Sequence, residues 1–254
     1  MLQVQEKPAP SPGRVVSGWS GQEKEQAVQR MFTAIARRYD LNNTLLSFGL
    51  HHRWKRLAAA LVPAVPDGWA LDIGAGTADL ALLAARRLGS DGRVVALDLN
   101  LAMLQEGRRK IVRQGLQHRI ACLRSNVEAL GFRDGRFDAA LAGFCIRNVG
   151  NLMAAFTEIH RMLKPGGRFV CLEFSQPVSR WLRALYDWYS FTLLPRVGAS
   201  VARDGTGVYE YLPASIRAFP DQESLKDLLL KAGFRQVEYR NLSGGIVAIH
   251  IATK

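Results

Sequence analysis

The stretch Leu71-Asp72-Ile73-Gly74-Ala75-Gly76-Thr77-Ala78-Asp79-Leu80 gathers two carboxylates, two glycines and a hydroxyl within ten residues of a 254-residue chain. An apolar run, Trp69 to Ile73, leads into Gly74 and Gly76, and residues 77–88 follow with helical spacing. Glycine has no Cβ and accepts positive φ, so a ligand can approach the main chain closely at such a turn. The start of the helix adds N–H groups that have no partner within the helix. Asp72 ends the strand, and Asp79 sits in the first helical turn, where its charge suits the macrodipole. A dinucleotide fingerprint would need glycine where Asp79 stands and would bring a pyrophosphate against both carboxylates. S-adenosylmethionine fits better: it has no phosphate, its methionine portion suits a turn made of Gly74, Gly76 and Thr77, and its cationic amino group suits Asp72. A tight strand-to-helix turn also occurs without any ligand, so residues further along must carry part of the case.

Asp98 closes the next apolar run, residues 93–97, roughly twenty residues after the turn, the position from which an acid accepts hydrogen bonds from both ribose hydroxyls. Its structural alternative is a helix N-cap. Leu99 follows it, and Met103 in the next helix can cover an adenine face. Asn126, which carries donor and acceptor together, and the N–H of Val127 can read a purine edge. After a fourth apolar run, the polar residues of Cys145-Ile146-Arg147-Asn148-Val149 come out at the same end of the sheet, because parallel strands share a direction.

The elements that position these residues are legible from periodicity. Residues 23–39 place Val28, Met31, Phe32, Ile35 and Ala36 on one helical face. Asn42, Asn43 and Gly49 break the segment 41–50, a helix resumes over 51–61, and Pro63, Pro66 and Gly68 mark a boundary. Strands are expected at 69–73, 93–97, 120–123, 137–144 and 168–174, and helices at 77–88, 101–114 and 153–163, with a Lys164-Pro165-Gly166-Gly167 turn before the fifth strand. An aromatic helix covers 181–194, residues 196–220 lack clear periodicity, and a last helix covers 221–232. Residues 234–241 and 245–252 form an antiparallel pair. This alternation implies an α/β doubly wound parallel sheet with an antiparallel end. The organisation is a disordered leader over 1–20, a helical lid over 21–67, and one domain over 68–254 with a substrate-shaping insertion near 180–220.

Composition narrows the function classes. With 48% hydrophobic residues the chain fills a core, and no run of eighteen apolar residues marks a membrane span. The leader lacks an apolar h-region, so it is not a secretory signal. Three cysteines without C-x-x-C spacing read as reduced thiols of a cytoplasmic protein, and no metal is expected. A net charge of +12 favours nucleic acid, an anionic membrane surface or an acidic substrate. The basic residues are dispersed and no RNA-binding module stands out, so nucleic acid is not expected as a partner.

The chain resembles the ubiquinone and menaquinone biosynthesis C-methyltransferases. The resemblance rests on Met31-Phe32 through Arg37-Arg38-Tyr39-Asp40, Leu45-Leu46-Ser47-Phe48-Gly49-Leu50, the glycine turn, Arg147-Asn148-Val149, Leu172-Glu173-Phe174-Ser175, Tyr211-Leu212-Pro213, Phe219-Pro220-Asp221-Gln222 and Gly244-Gly245-Ile246-Val247-Ala248. Ala78 departs from a common glycine, and Gly143 stands where some members carry serine. The resemblance implies a class I S-adenosylmethionine-dependent methyltransferase with a Rossmann-like seven-stranded sheet. It further implies methylation of a ring carbon of a polyprenylated quinol, demethylmenaquinol or 2-methoxy-6-polyprenyl-1,4-benzoquinol, with Arg147, Asn148 and Tyr39 around the quinol oxygens. Another small phenol as substrate, or a non-catalytic scaffold that keeps the pocket, are the alternatives. A substrate whose isoprenoid tail stays in the bilayer implies weak, reversible contact with the inner face of the cytoplasmic membrane. That contact is expected through the lid, with Arg37, Arg38, Arg53, Lys55 and Arg56, and through the aromatic segment 181–191, which also makes a homodimer plausible.

Overall fold

The computed structural model describes residues 21–193 and 208–254. The expected leader over 1–20 and the middle of the insertion lie outside the described residues. Three N-terminal helices, α1 (Gly21–Ile35), α2 (Tyr39–Leu46) and α3 (Leu50–Ala59), precede the sheet. The alternating part follows as β1 (Trp69–Ile73), α4 (Asp79–Arg87), β2 (Arg93–Asp98), α5 (Leu101–Arg113), β3 (Ile120–Arg124), β4 (Phe137–Gly143), α6 (Leu152–Met162) and β5 (Leu163–Phe174). The insertion contributes α7 (Arg180–Trp188), a wider turn over Tyr189–Leu193, and α8 (Val208–Ala218). The chain then runs through α9 (Gln222–Lys231), β6 (Gln236–Leu242) and β7 (Val247–Thr253).

The seven strands form one sheet in the order β3-β2-β1-β4-β5-β7-β6. β7 is antiparallel to β5 and to β6, and the other neighbours are parallel. The central strands are buried on both faces, which is why they read as continuous apolar runs rather than alternating ones. One core lies on the face of the sheet that carries α3 and α4, around Leu82, Leu141 and Ile249. A second lies on the opposite face, around Phe137, Phe156 and Phe169. A third, smaller core joins α1 to α8 through Val28, Met31, Ile35, Val208 and Tyr211.

The structure corrects the pattern reading in several places. The segment 41–50 is not broken at its asparagines: α2 runs through both, and Asn42 is buried at 2% exposure. The chain turns only at Phe48 and Gly49, which have φ of 50° and 74°. α4 starts at Asp79 rather than at residue 77 because Ala78 is left-handed, with φ of 66°. Residues 164–167 are not a free turn. They belong to β5, whose pairing shifts from Phe137 opposite Leu163 to Ala139 opposite Arg168, with the slack taken up at Gly166. The stretch after residue 196 contains α8, whose Pro213 interrupted the helical signature.

Candidate functional site

The C-terminal ends of β1, β2 and β4 open into a crevice of about 110 Å³. Such a crevice is where open α/β sheets bind ligands. Gly74 and Gly76 form its floor with φ of 58° and 54°. A Cβ on Gly74 would lie 2.5 Å from Cys145 Cβ, so the close approach of the two strand ends requires glycine there. Asp98, Leu99, Met103, Asn126, Val127 and Asn148 all line the crevice.

Asp98 Oδ2 accepts the Gly76 N–H at 2.8 Å, and Oδ1 accepts the Asn100 N–H at 2.7 Å. Burial raises its pKa, and these backbone donors offset part of that cost. The helix N-cap belongs to Asn100, whose Oδ1 accepts the Met103 N–H, so Asp98 is left to face the crevice. Asn126 Oδ1 accepts the Glu128 N–H at 2.9 Å, which leaves its amide donors for a ligand rather than the donor and acceptor together.

Asp72, Thr77 and Asp79 are on the other side of the turn. They line a small recess of about 20 Å³ with Lys55 and Tyr39. Asp72 is 1% exposed, and its Oδ2 accepts the Ala81 N–H at 2.7 Å. Its Oδ1 is buried without a partner, and burial pushes the carboxyl up to about 8. Thr77 Oγ1 donates to Asp40 Oδ1 at 2.6 Å. Asp79 binds Lys55 at 2.8 Å and also Lys110. Burial would raise the Asp79 carboxyl, but Lys55 and Lys110 outweigh it and hold it well below the usual carboxylate range. The turn's own donors are largely committed: Ala75 N–H to Leu97 O, Gly76 N–H to Asp98, Ala78 N–H to Ala75 O. That leaves little of a phosphate cradle and agrees with a ligand that brings no phosphate.

A second, apolar chamber of about 410 Å³ lies between the N-terminal helices and the insertion. Phe48, Trp54, Phe174, Leu185 and Tyr189 are among its walls. Phe32, Tyr39 and Phe144 line both the crevice and the chamber, so the two spaces meet there. The three residues expected around a quinol divide between them. Arg147 lines the chamber, Asn148 lines the crevice, and Tyr39 lines both. Asn148 Oδ1 accepts from the Tyr211 hydroxyl at 2.9 Å.

Arg147 is 8% exposed. Its Nη1 donates to Glu173 Oε1 at 2.7 Å and to Phe144 O at 2.6 Å, and its Nε is buried without a partner. Burial works against this guanidinium, yet Glu173 outweighs it and raises its pKa, so it stays charged. Residues given no site role in the sequence also build the chamber. His51, Trp54 and Lys55 repeat at helical spacing on the inner face of α3, and Tyr211 comes from α8.

A family model described as the ubiE/COQ5 methyltransferase family matches residues 20–254. The chain belongs to that family. A Legionella pneumophila (strain Corby) protein named ubiquinone/menaquinone biosynthesis C-methyltransferase UbiE is 43% identical over 232 residues, 91% of this chain and 92% of the relative. A protein of the same name from Pectobacterium atrosepticum is 44% identical over 250 residues, 98% of each chain. Among solved structures, a putative S-adenosyl-L-methionine-dependent methyltransferase from Methanococcus maripaludis superposes with a TM-score of 0.58 at 21% identity, over 86% of this chain and 91% of the other. An S-adenosylmethionine-dependent methyltransferase from Aquifex aeolicus gives 0.53 at 16% identity, over 76% and 84%. The ubiE/COQ5 sheet here is thus the class I methyltransferase fold.

Proposed function

We propose that the junction lined by Phe32, Tyr39 and Phe144 is where a methyl group passes from S-adenosylmethionine in the crevice to a ring carbon of a polyprenylated quinol in the chamber. The observation that carries this reading is that the crevice at the strand ends, with Asp98 and Asn126 among its walls, shares Phe32, Tyr39 and Phe144 with a larger apolar chamber. Membership of the ubiE/COQ5 family makes the chain an S-adenosylmethionine-dependent C-methyltransferase of quinone biosynthesis. When bound, the co-substrate supplies an electrophilic methyl on its sulfonium. Asp98 would hold the ribose, Leu99, Met103, Asn126 and Val127 the adenine, and Gly74 and Gly76 the methionine portion. Asp72, Thr77 and Asp79 would back the turn from behind.

A ring carbon becomes nucleophilic when a ring hydroxyl ionises and charge reaches the ortho position. The chain must therefore orient the ring and stabilise oxyanion character in a dry site. Arg147 is paired with Glu173, so what it would bring to a ring oxygen is its unpartnered Nε–H rather than a free cation. Tyr39, at the junction, is placed to steer the ring toward the crevice, and Asn148 to brace the cofactor side. Quinone profiling of a strain lacking this protein tests the reading. Demethylated menaquinone or the methoxy-benzoquinol precursor accumulates if it holds, and an unchanged quinone pool contradicts it.

An isoprenoid tail exceeds the chamber, so it leaves through an apolar rim. Phe48, Trp181, Trp188 and Leu185 are exposed at 81%, 88%, 57% and 61%. Among the described residues no helix is long and apolar enough to cross a membrane; the exposed aromatic rim supports contact with a bilayer surface. Lys55 drops out of the basic set expected to aid that contact, because it is buried against Asp79, while Arg37, Arg38, Arg53 and Arg56 remain exposed.

A further inference from the structure

We propose that His51 is the group that accepts the proton of the substrate's ring hydroxyl, through its Nε2. The proposal rests on the quinol reading above and deepens it.

Ser47 Oγ donates its single proton to Asn43 O at 2.6 Å, so toward His51 Nδ1, 2.8 Å away, it can only accept. His51 Nδ1 therefore carries the proton, and Nε2 is left as an acceptor. That Nε2 is buried and has no hydrogen-bond partner, an arrangement that costs free energy unless something fills it. The ring itself forms part of the chamber wall and is 4% exposed.

Its location suits the chemistry. On α3, His51 lies one turn before Lys55, which reaches the helix after the glycine turn through Asp79. Lys55 lines both the chamber and the recess behind the turn. His51 is thus one helical turn from the residue that joins the chamber wall to the glycine turn. Burial, together with Lys55 and His52 and against the opposing pull of Asp79 and Asp40, lowers the imidazole to about 4, so it is neutral and able to accept near neutral pH. A phenolate forming beside it would stabilise the imidazolium as its counter-ion.

The step balances. The hydroxyl O–H bond breaks and its proton joins Nε2, while the electron pair left on oxygen moves through the ring to the ortho carbon. That carbon forms the new bond to the methyl as the sulfur–methyl bond breaks, its electron pair staying on sulfur. The ring carbon then loses its proton to water, and Nε2 returns the first proton to oxygen. One proton is released per turnover.

Two replacements isolate the role. His51→Asn keeps an amide N–H where Nδ1–H meets Ser47 and removes Nε2. His51→Gln puts a non-basic amide near the place of Nε2. With S-adenosylmethionine and a short-chain demethylmenaquinol, both variants should lose about 10²-fold or more in kcat, the scale of general-base catalysis. Calorimetric affinity for S-adenosylmethionine should be unchanged. On a ring-halogenated demethylmenaquinol whose hydroxyl is already ionised at the assay pH, both variants should regain most of the wild-type rate, because no proton has to be taken. Equal losses on both substrates would mean that His51 only shapes the chamber. Wild-type kcat in the variants would remove it altogether. Failure of the wild type to methylate either quinol would instead sink the parent reading.

Discussion

Lys55 Nζ on α3 sits 2.8 Å from Asp79 Oδ2 at the start of α4, tying the N-terminal helices to the glycine turn. Lys110 of α5 completes the clasp by binding Asp79 and Asp40 together. The helices that wall the chamber and the turn that floors the crevice are therefore tied through two carboxylates, Asp79 and Asp40.

Replacing Asp79 by asparagine leaves Lys55, with a side chain only 10% exposed, facing a neutral amide. Breaking a fully buried pair costs about 3–5 kcal/mol, and the 21% exposure of Asp79 puts this one at or below the lower end. The sign with pH follows from the depressed carboxyl. Its contribution is complete above the unfolded value near 3.9 and is lost as pH falls toward the folded one. Denaturation midpoints should show an acid limb below about pH 4 in the wild type that is shallower in Asp79→Asn. Parallel pH curves would dissociate Asp79 from acid stability.

Asp72 has the opposite sign. Its folded value of about 8 lies above the unfolded one, so its contribution is complete at low pH and declines as pH rises toward 8. Asp72→Asn should gain stability relative to the wild type across that window, by at most about 1.4 kcal/mol per pH unit. Urea unfolding from pH 5 to pH 8 checks this, and a pH-independent difference would contradict it.

The parallel strands and the glycine turn were legible because burial on both faces leaves unbroken apolar runs and because the turn needs residues without a Cβ. The crevice followed from them: Asp98, Leu99, Met103, Asn126 and Val127 do converge. What sequence could not supply was direction. Arg53, Lys55 and Arg56 are equivalent as charges, yet α3 turns Lys55 inward and the two arginines outward. Asn42 reads as a breaker and is buried inside a helix. α8 was hidden because Pro213 interrupts its pattern and because its apolar face packs on α1, which is distant in sequence. The residue spacing 51, 54, 55 was the available signal for the chamber wall.

Asp98→Ala should weaken S-adenosylmethionine binding by about 1.5–3 kcal/mol through lost charge-assisted hydrogen bonds. Asn126→Ala should cost less, since Val127 keeps its backbone N–H. Calorimetry separates the two. Equal losses would mean that the adenine is held elsewhere, and an unchanged Asp98→Ala affinity would remove Asp98 from the site.

Contact with a bilayer should combine charge and the apolar rim. Each exposed arginine near an anionic leaflet would contribute about 1 kcal/mol, screened by salt, whereas insertion of Trp181 and Trp188 would be insensitive to salt. The protein should co-sediment with anionic liposomes, less so at high salt, and Arg53→Gln with Arg56→Gln should cut only the salt-sensitive part. Trp181→Ser with Trp188→Ser should cut the salt-insensitive part. Indifference to liposomes, with self-association lost in the tryptophan variant, would assign the rim to a second copy of the chain.

Methyl transfer to carbon across the junction of crevice and chamber can be observed in the product itself. The most direct measurement is incubation of the protein with S-adenosylmethionine bearing an isotopically labelled methyl and reduced short-chain demethylmenaquinol, followed by nuclear magnetic resonance of the product. The labelled methyl should be bonded to a ring carbon, and the rate should fall when Tyr39 is replaced by alanine. A label found on oxygen, or no transfer to this quinol or to the methoxy-benzoquinol, would contradict it.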